Sequence, residues 1–175
     1  MSYCLKTNLV SIPDDIKQEL ISFAMSTVDV DFNFLKVNPN LSSRILNSIP
    51  DYFKINPDEM FLRLQMIYKT SVDAHFDKGR TSGIYLMLTD NRVLTHFYDW
   101  RDDTSRVVDN GWISQDQLDK KLSVEFLQDQ VWLFDHTAIH SVDYSPTPRI
   151  SLNLLYNNLP YETLVKLYNK NLSAY

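Results

Sequence analysis

The segment VDAHFDKGR carries an imidazole and a carboxylate two residues apart, His75 and Asp77. On an extended chain, positions i and i+2 project from one face, so both groups reach the same space beside the strand. Two ligands leave a metal's geometry undefined. A third must come from a neighbouring strand, and the remaining histidines are His96, His136 and His140. Two imidazole nitrogens and one carboxylate oxygen on one face of an octahedron suit non-haem Fe(II), with three positions left for other ligands. The pair alone is weak evidence, because aspartate is common in this chain. A solvated strand end with a polar stripe would read the same way.

The stretch IHSVDYSPTPRISLNLLY adds weight to the metal reading. It sets His140 nine residues before Arg149, with a Pro-rich turn between them and Ser151 beside Arg149 on the same strand face. The turn reads as a hairpin that brings the His strand and the Arg strand side by side. An inward-facing arginine is costly unless an anion meets it. No acidic residue shares its alternating face on that strand, so a ligand carboxylate is a reasonable partner. The guanidinium offers such a group a bidentate fork, and Ser151 adds a hydroxyl donor. His136 has the same strand parity as His140, so alternation does not separate them. The interval to Arg149 and the following Ser-Val favour His140.

These side chains need a scaffold, and the patterning predicts one. Residues 13–25 open with Pro13 and two acids and carry Ile16, Leu20, Ile21 and Phe23 at helical spacing. Residues 40–49 have Asn40 as an N-cap candidate and Pro50 as a stop, and residues 160–172 again open with Pro and an early Glu. Between these ends lie MFLRLQMIYKT, SGIYLMLT, RVLTHFYDW, KLSVEFLQ, QVWLFD, AIHSVDY and RISLNLLYN. They are short, aliphatic and aromatic, and bounded by turn formers. In RISLNLL, Arg149, Ser151 and Asn153 face one way while Ile150, Leu152 and Leu154 face the other. An antiparallel sheet with a polar concave face and an apolar face against helices would produce that pattern. The fold class is therefore mainly β with flanking helices, and a jelly roll hides the edges of that many strands economically. We read residues 1–175 as a single domain: 1–58 as N-terminal helical support, 59–158 as the β core, 159–175 as a C-terminal helix. The longest irregular segment, DWRDDTSRVVDNGW, sits where a loop at a barrel mouth would lie.

Bulk properties remove other classes. The chain has 175 residues, 44% of them hydrophobic and 22% charged, with a formal net charge of −5. No Lys/Arg cluster marks a nucleic-acid footprint, so stable nucleic-acid binding is not expected. The single cysteine, Cys4, supports neither a disulfide framework nor a thiolate metal cluster and reads as inert. Gly79, Gly83 and Gly111 cannot build a phosphate-binding glycine loop. The N-terminus lacks the apolar core of a secretory signal and no run reaches membrane-spanning length, so the expected location is cytoplasmic. Oligomeric state is not encoded in any feature of the sequence.

Taken in order, His75-x-Asp77, His140 and Arg149-x-Ser151 resemble the HxD…H…RxS signature of the Fe(II)/2-oxoglutarate-dependent oxygenases. The resemblance covers roughly residues 60 to 157, and the family's compact prolyl-hydroxylase-like members are similar in length and layout. It implies a double-stranded β-helix of cupin-like type with helical support. It implies Fe(II) held by His75, Asp77 and His140, and 2-oxoglutarate as cosubstrate with its distal carboxylate on Arg149 and Ser151. Tyr85, on the strand after the H-x-D turn, stands where such proteins often place a cosubstrate-binding residue; a buried structural tyrosine is the other reading. Trp100 and Arg101 line either the substrate entrance or an ordinary surface loop. The implied reaction uses O₂ to hydroxylate a C–H bond of an amino acid, a peptide or protein side chain or another small molecule, with release of succinate and CO₂. Two alternatives stand beside it: a non-oxidative β-helix protein that binds metal or a small acid, and a hydrolase or isomerase with another metal in the same cup.

Overall fold

Alternation in the segment Arg149–Tyr156 makes it the central strand of the larger of two sheets. The computed structural model describes residues 2–9, 12–27, 32–54, 59–102, 106–109 and 111–172. Along the chain these form β1 (Cys4–Lys6), α1 (Asp14–Met25), β2 (Phe32–Lys36), α2 (Pro39–Ser48), β3 (Met60–Ile67), β4 (Thr70–His75) and β5 (Ser82–Met87). There follow β6 (Leu94–Trp100), β7 (Leu118–Glu125), β8 (Val131–Asp135), β9 (Ile139–Ser145), β10 (Arg149–Tyr156) and α3 (Tyr161–Leu172). One sheet has the order β1-β8-β5-β10-β3-β2, the other β4-β9-β6-β7, and neighbouring strands run antiparallel.

All eight residues of β10 are buried, which requires cover on both faces. Ile150, Leu152 and Leu154 join a core that includes Leu20 of α1, Ile45 of α2 and Leu164 of α3. Each such side chain removed from water contributes about 1.5–3 kcal/mol, which fixes the helices on the outer face of the larger sheet. The opposite face of β10 looks toward the smaller sheet, where Leu155 packs with Tyr85, Met87, Phe97 and Phe134. Arg149, Ser151 and Asn153 are therefore interior residues of a two-layer sandwich.

Two sequence expectations change here. The helix expected from 40 begins earlier: Asn38 is its N-cap, accepting from the Leu41 N–H at 2.9 Å, with Pro39 in the first turn. Proline loses nothing at that position, because its missing N–H would have no helical partner. Strands β9 and β10 are not a paired hairpin. β9 lies between β4 and β6 in the smaller sheet, and β10 between β5 and β3 in the larger. Pro146 and Pro148 have no N–H to offer a ladder, and the turn carries the chain from one sheet to the other. Asn91 pins the crossing by donating to Ser145 Oγ at 2.8 Å and to Thr147 O at 2.9 Å. His140 and Arg149 thus come from opposite sheets and line one pocket between them.

The strands β1 and β2 add to the larger sheet from a part of the chain where the pattern showed only helices. Of the irregular segment 99–112, Asp103, Thr104, Ser105 and Asn110 lie outside the described residues. No described helix is long and apolar enough to cross a membrane.

Candidate metal centre

The register of β4 on β9 places His75 directly opposite His140, after irregularities on either side of Val72 shift the pairing. Directly opposed residues of an antiparallel pair have their side chains on one face, so the two imidazoles meet with ring centroids 4.4 Å apart. β4 ends at His75, yet Asp77 stays tied to the next segment because its N–H donates to His136 O at 3.1 Å. One ligand atom from each of His75, Asp77 and His140 lies within 4.8 Å of the others.

Backbone carbonyls fix both tautomers. His75 Nδ1 donates to Asp73 O at 2.8 Å and His140 Nδ1 to Ala138 O at 2.9 Å. A carbonyl oxygen can only accept, so each Nδ1 carries the proton and each Nε2 presents a lone pair. Burial, reinforced by the nearby His75, pushes His140 down to about 3, so its ring is neutral at neutral pH. Burial pulls Asp77 upward, but the hydrogen bond from His136, together with the Arg80 guanidinium, outweighs it. They hold the carboxyl well below the usual carboxylate range. His140 Nε2 and Asp77 Oδ2 face each other at 3.9 Å, two lone-pair donors with no proton required between them. A carboxylate and two imidazoles that turn their Nε2 atoms inward in this way fit a divalent cation, and the mixed nitrogen and oxygen set fits Fe(II).

His136 and His140 have different surroundings. His136 is fully buried, and its Nδ1 donates to Asp77 Oδ2. It stands behind the carboxylate and is absent from the converging trio. Arg80 donates to the other oxygen, Oδ1, at 3.3 Å, and its guanidinium covers the Phe34 ring.

A pocket between the sheets joins the trio to Tyr85, Gln65 and Arg149. The Arg149 side chain is 7% exposed; one terminal nitrogen donates to Thr95 Oγ1 at 3.0 Å and the group lies 5.8 Å from the Phe126 ring. Its Nε has no partner, and among the described residues no carboxylate pairs with it. Burial lowers Arg149 to about 10, which leaves it charged at neutral pH. Tyr85 stacks on Phe134, and burial drives its hydroxyl well above the ordinary tyrosine range, so it stays protonated between Asp77 and Arg149. Ser151 is buried beside Arg149, but its hydroxyl donates to Gln65 Oε1 at 3.4 Å and reaches the pocket through that amide.

Other candidates fall elsewhere. Trp100 packs with Ala74, Tyr98 and Ile139 on the outer side of the smaller sheet, and Arg101 donates to Asp119 and the Leu118 carbonyl. Neither lines the pocket. Cys4 is buried and free, with its thiol pushed up to about 12 by burial, in keeping with inertness. Sequence reasoning passed over Gln65, Arg80 and Trp112, whose ring lies 5.2 Å from that of His75. A polar residue at an inward position of MFLRLQMI was the available signal for Gln65.

No family model matches the sequence, and no curated protein matches it. Solved structures match in three dimensions. A prolyl-4-hydroxylase from Pseudomonas putida aligns with a TM-score of 0.56 at 12% identity, over 89% of this chain and 92% of that one. The epimerase SnoN, crystallised with Fe³⁺, α-ketoglutarate and nogalamycin RO, aligns at 0.58 with 10% identity, over 90% and 79%. A prolyl hydroxylase from Trichoplax adhaerens, in complex with a hypoxia-inducible-factor peptide, aligns at 0.56 with 12% identity, over 93% and 86%. The fold is a double-stranded β-helix. In this β-helix the converging trio belongs to the smaller sheet and the segment that follows β4, and the buried arginine to the larger sheet.

Proposed function

We propose that the protein is an Fe(II)- and 2-oxoglutarate-dependent dioxygenase, a hydroxylase acting on a C–H bond of an amino acid, a peptide or protein side chain or another small molecule. One observation carries this reading: three lone-pair donors within 4.8 Å share a pocket with a buried guanidinium that has no acidic partner among the described residues. A metal alone accounts for the trio. An anionic ligand in the same pocket would account for Arg149, since a buried charge with no acidic partner is costly.

In this reading His75, Asp77 and His140 hold Fe(II), Arg149 receives the distal carboxylate of 2-oxoglutarate, and Ser151 and Tyr85 supply further donors. Residues 59–158 form the catalytic core, braced by 1–58 and 159–175. When bound there, Fe(II) would activate O₂, the oxidant, whose four electrons come two from 2-oxoglutarate, leaving as succinate and CO₂, and two from the substrate C–H bond that becomes the alcohol. The protein's own residues fix the tautomers, hold the cosubstrate at one end, and keep water out through Phe126, Phe134 and Val142 along the pocket.

The test is anaerobic addition of Fe(II) and 2-oxoglutarate, followed by admission of O₂. A visible charge-transfer band and then succinate are expected. Binding of Fe(II) and 2-oxoglutarate without succinate would leave a non-oxidative binding protein, and absence of the band would remove the reading altogether.

A further inference from the structure

His136 is not needed for the trio, yet it is fully buried and donates to one of its members. Its other ring nitrogen, Nε2, has no hydrogen-bond partner. The reason for that burial lies across the fold, on β5. A Cβ built on Gly83 would lie 2.9 Å from His136 Nε2, closer than any real methyl group could sit. Gly83 therefore opens the space that the imidazole fills, and no positive φ demands a glycine there.

With His136 on Oδ2 and Arg80 on Oδ1, the Asp77 carboxylate is held at both oxygens. The Arg80 bond is the looser, at 3.3 Å from a partly exposed side chain. The His136 bond is made inside the fold, where the fully buried ring packs against Phe134 and Tyr85 with ring centroids 5.1 Å and 5.5 Å away. A carboxylate free to rotate would carry its ligating oxygen out of reach of the two imidazoles.

We propose that His136 is a positioning residue that sets the orientation of Asp77 for the metal, and that Gly83 is the residue that admits it. This rests on the assignment of His75, Asp77 and His140 as metal ligands. It gives His136, the first histidine of the FDHTAIH segment, a function distinct from ligation.

The test uses the whole chain in its metal-free form, titrated with Mn(II) and followed calorimetrically, so that binding is read without turnover. His136→Ala should weaken Mn(II) about 10- to 100-fold, as loss of a ligand-orienting partner generally does. His136→Asn, whose amide can donate from nearly the same place as Nδ1, should restore most of the affinity. Gly83→Ala should reproduce the loss by displacing the ring, although it touches no ligand. In an H136A background G83A should cost far less affinity than it does in the wild-type background, because there is no ring to displace; any disturbance at Leu154 O or the Leu155 side chain is common to both backgrounds and cancels in the difference.

Wild-type affinity in H136A, or a G83A loss that is as large in the H136A background as in the wild type, would overturn the proposal alone. If H136A does not fold, the contrast between H136N and G83A decides: equal losses in both would overturn it. A wild-type chain that takes up no Mn(II) or Fe(II) would overturn this proposal together with the reading beneath it.

Discussion

The two ends of the pocket are built differently. At the metal end, backbone carbonyls hold both imidazoles, and Asp77 is engaged at each oxygen. At the guanidinium end, the contacts are side chain to side chain: Arg149 to the Thr95 hydroxyl, and Ser151 to the Gln65 amide at 3.4 Å. Backbone partners move only when the sheet moves, whereas hydroxyls and amides exchange partners at little cost. Under the proposed assignment, the first end is preorganised for a ligand that stays, and the second is suited to one that comes and goes with each turnover.

The largest expected effect breaks the preorganised end. His75→Ala or Asp77→Ala should abolish Fe(II)-dependent succinate formation while circular dichroism and the melting transition show an intact fold; normal turnover in either purified variant would remove the assignment. At the exchangeable end, Arg149→Ala should raise the 2-oxoglutarate requirement about 10- to 150-fold, the equivalent of a charge-assisted hydrogen bond worth about 1.5–3 kcal/mol. An unchanged apparent KM would count against its role. Arg149→Met sharpens the contrast, since removing a buried unpaired charge should leave the ligand-free protein as stable as wild type or more so. Chemical denaturation of the ligand-free variant checks this.

Acid should act on the metal end. His140 is lowered from 6.5 to about 3 in the folded chain, so between those values the unfolded chain binds a proton that the folded one does not. Its contribution is present above pH 6.5 and is lost as the pH falls toward 3, at a slope of at most about 1.4 kcal/mol per pH unit. In the metal-free protein, His140→Phe should flatten that decline, as read from denaturation midpoints across the range. The smallest effect belongs to Ser151→Ala, which should raise the 2-oxoglutarate KM by about fivefold, equivalent to one neutral hydrogen bond of about 1 kcal/mol.

Much of this arrangement was legible in the sequence because alternation is local. The inward set on β10 and the outward set against the helices follow from period two alone, and α1 and α3 lie within a residue or two of where their stripes place them. Pairing is not local. Nothing in IHSVDYSPTPRIS tells the reader that β9 joins one sheet and β10 the other, so the expected hairpin turned out to be a crossover. The strands β1 and β2 are too short, at three and five residues, to display a period. His136 and His140 share parity, and what distinguishes their surroundings is the donor bond of one ring to Asp77 and the space over Gly83. Those are long-range contacts that spacing cannot encode. The start of α2 was missed by two residues because Asn38 and Asn40 are chemically equivalent cap candidates flanking one proline.

The crossover at residues 146–148 puts consecutive strands on opposite walls of the sandwich. Under the proposed assignment, the span from imidazole to guanidinium is then set by how far apart the two walls stand. A diacid one methylene shorter could not be accommodated by sliding a strand along its neighbour; the layers themselves would have to close. Discrimination by acid length would thus be a collective property of the scaffold, sensitive to the packing of Phe97, Phe126 and Phe134 between the walls.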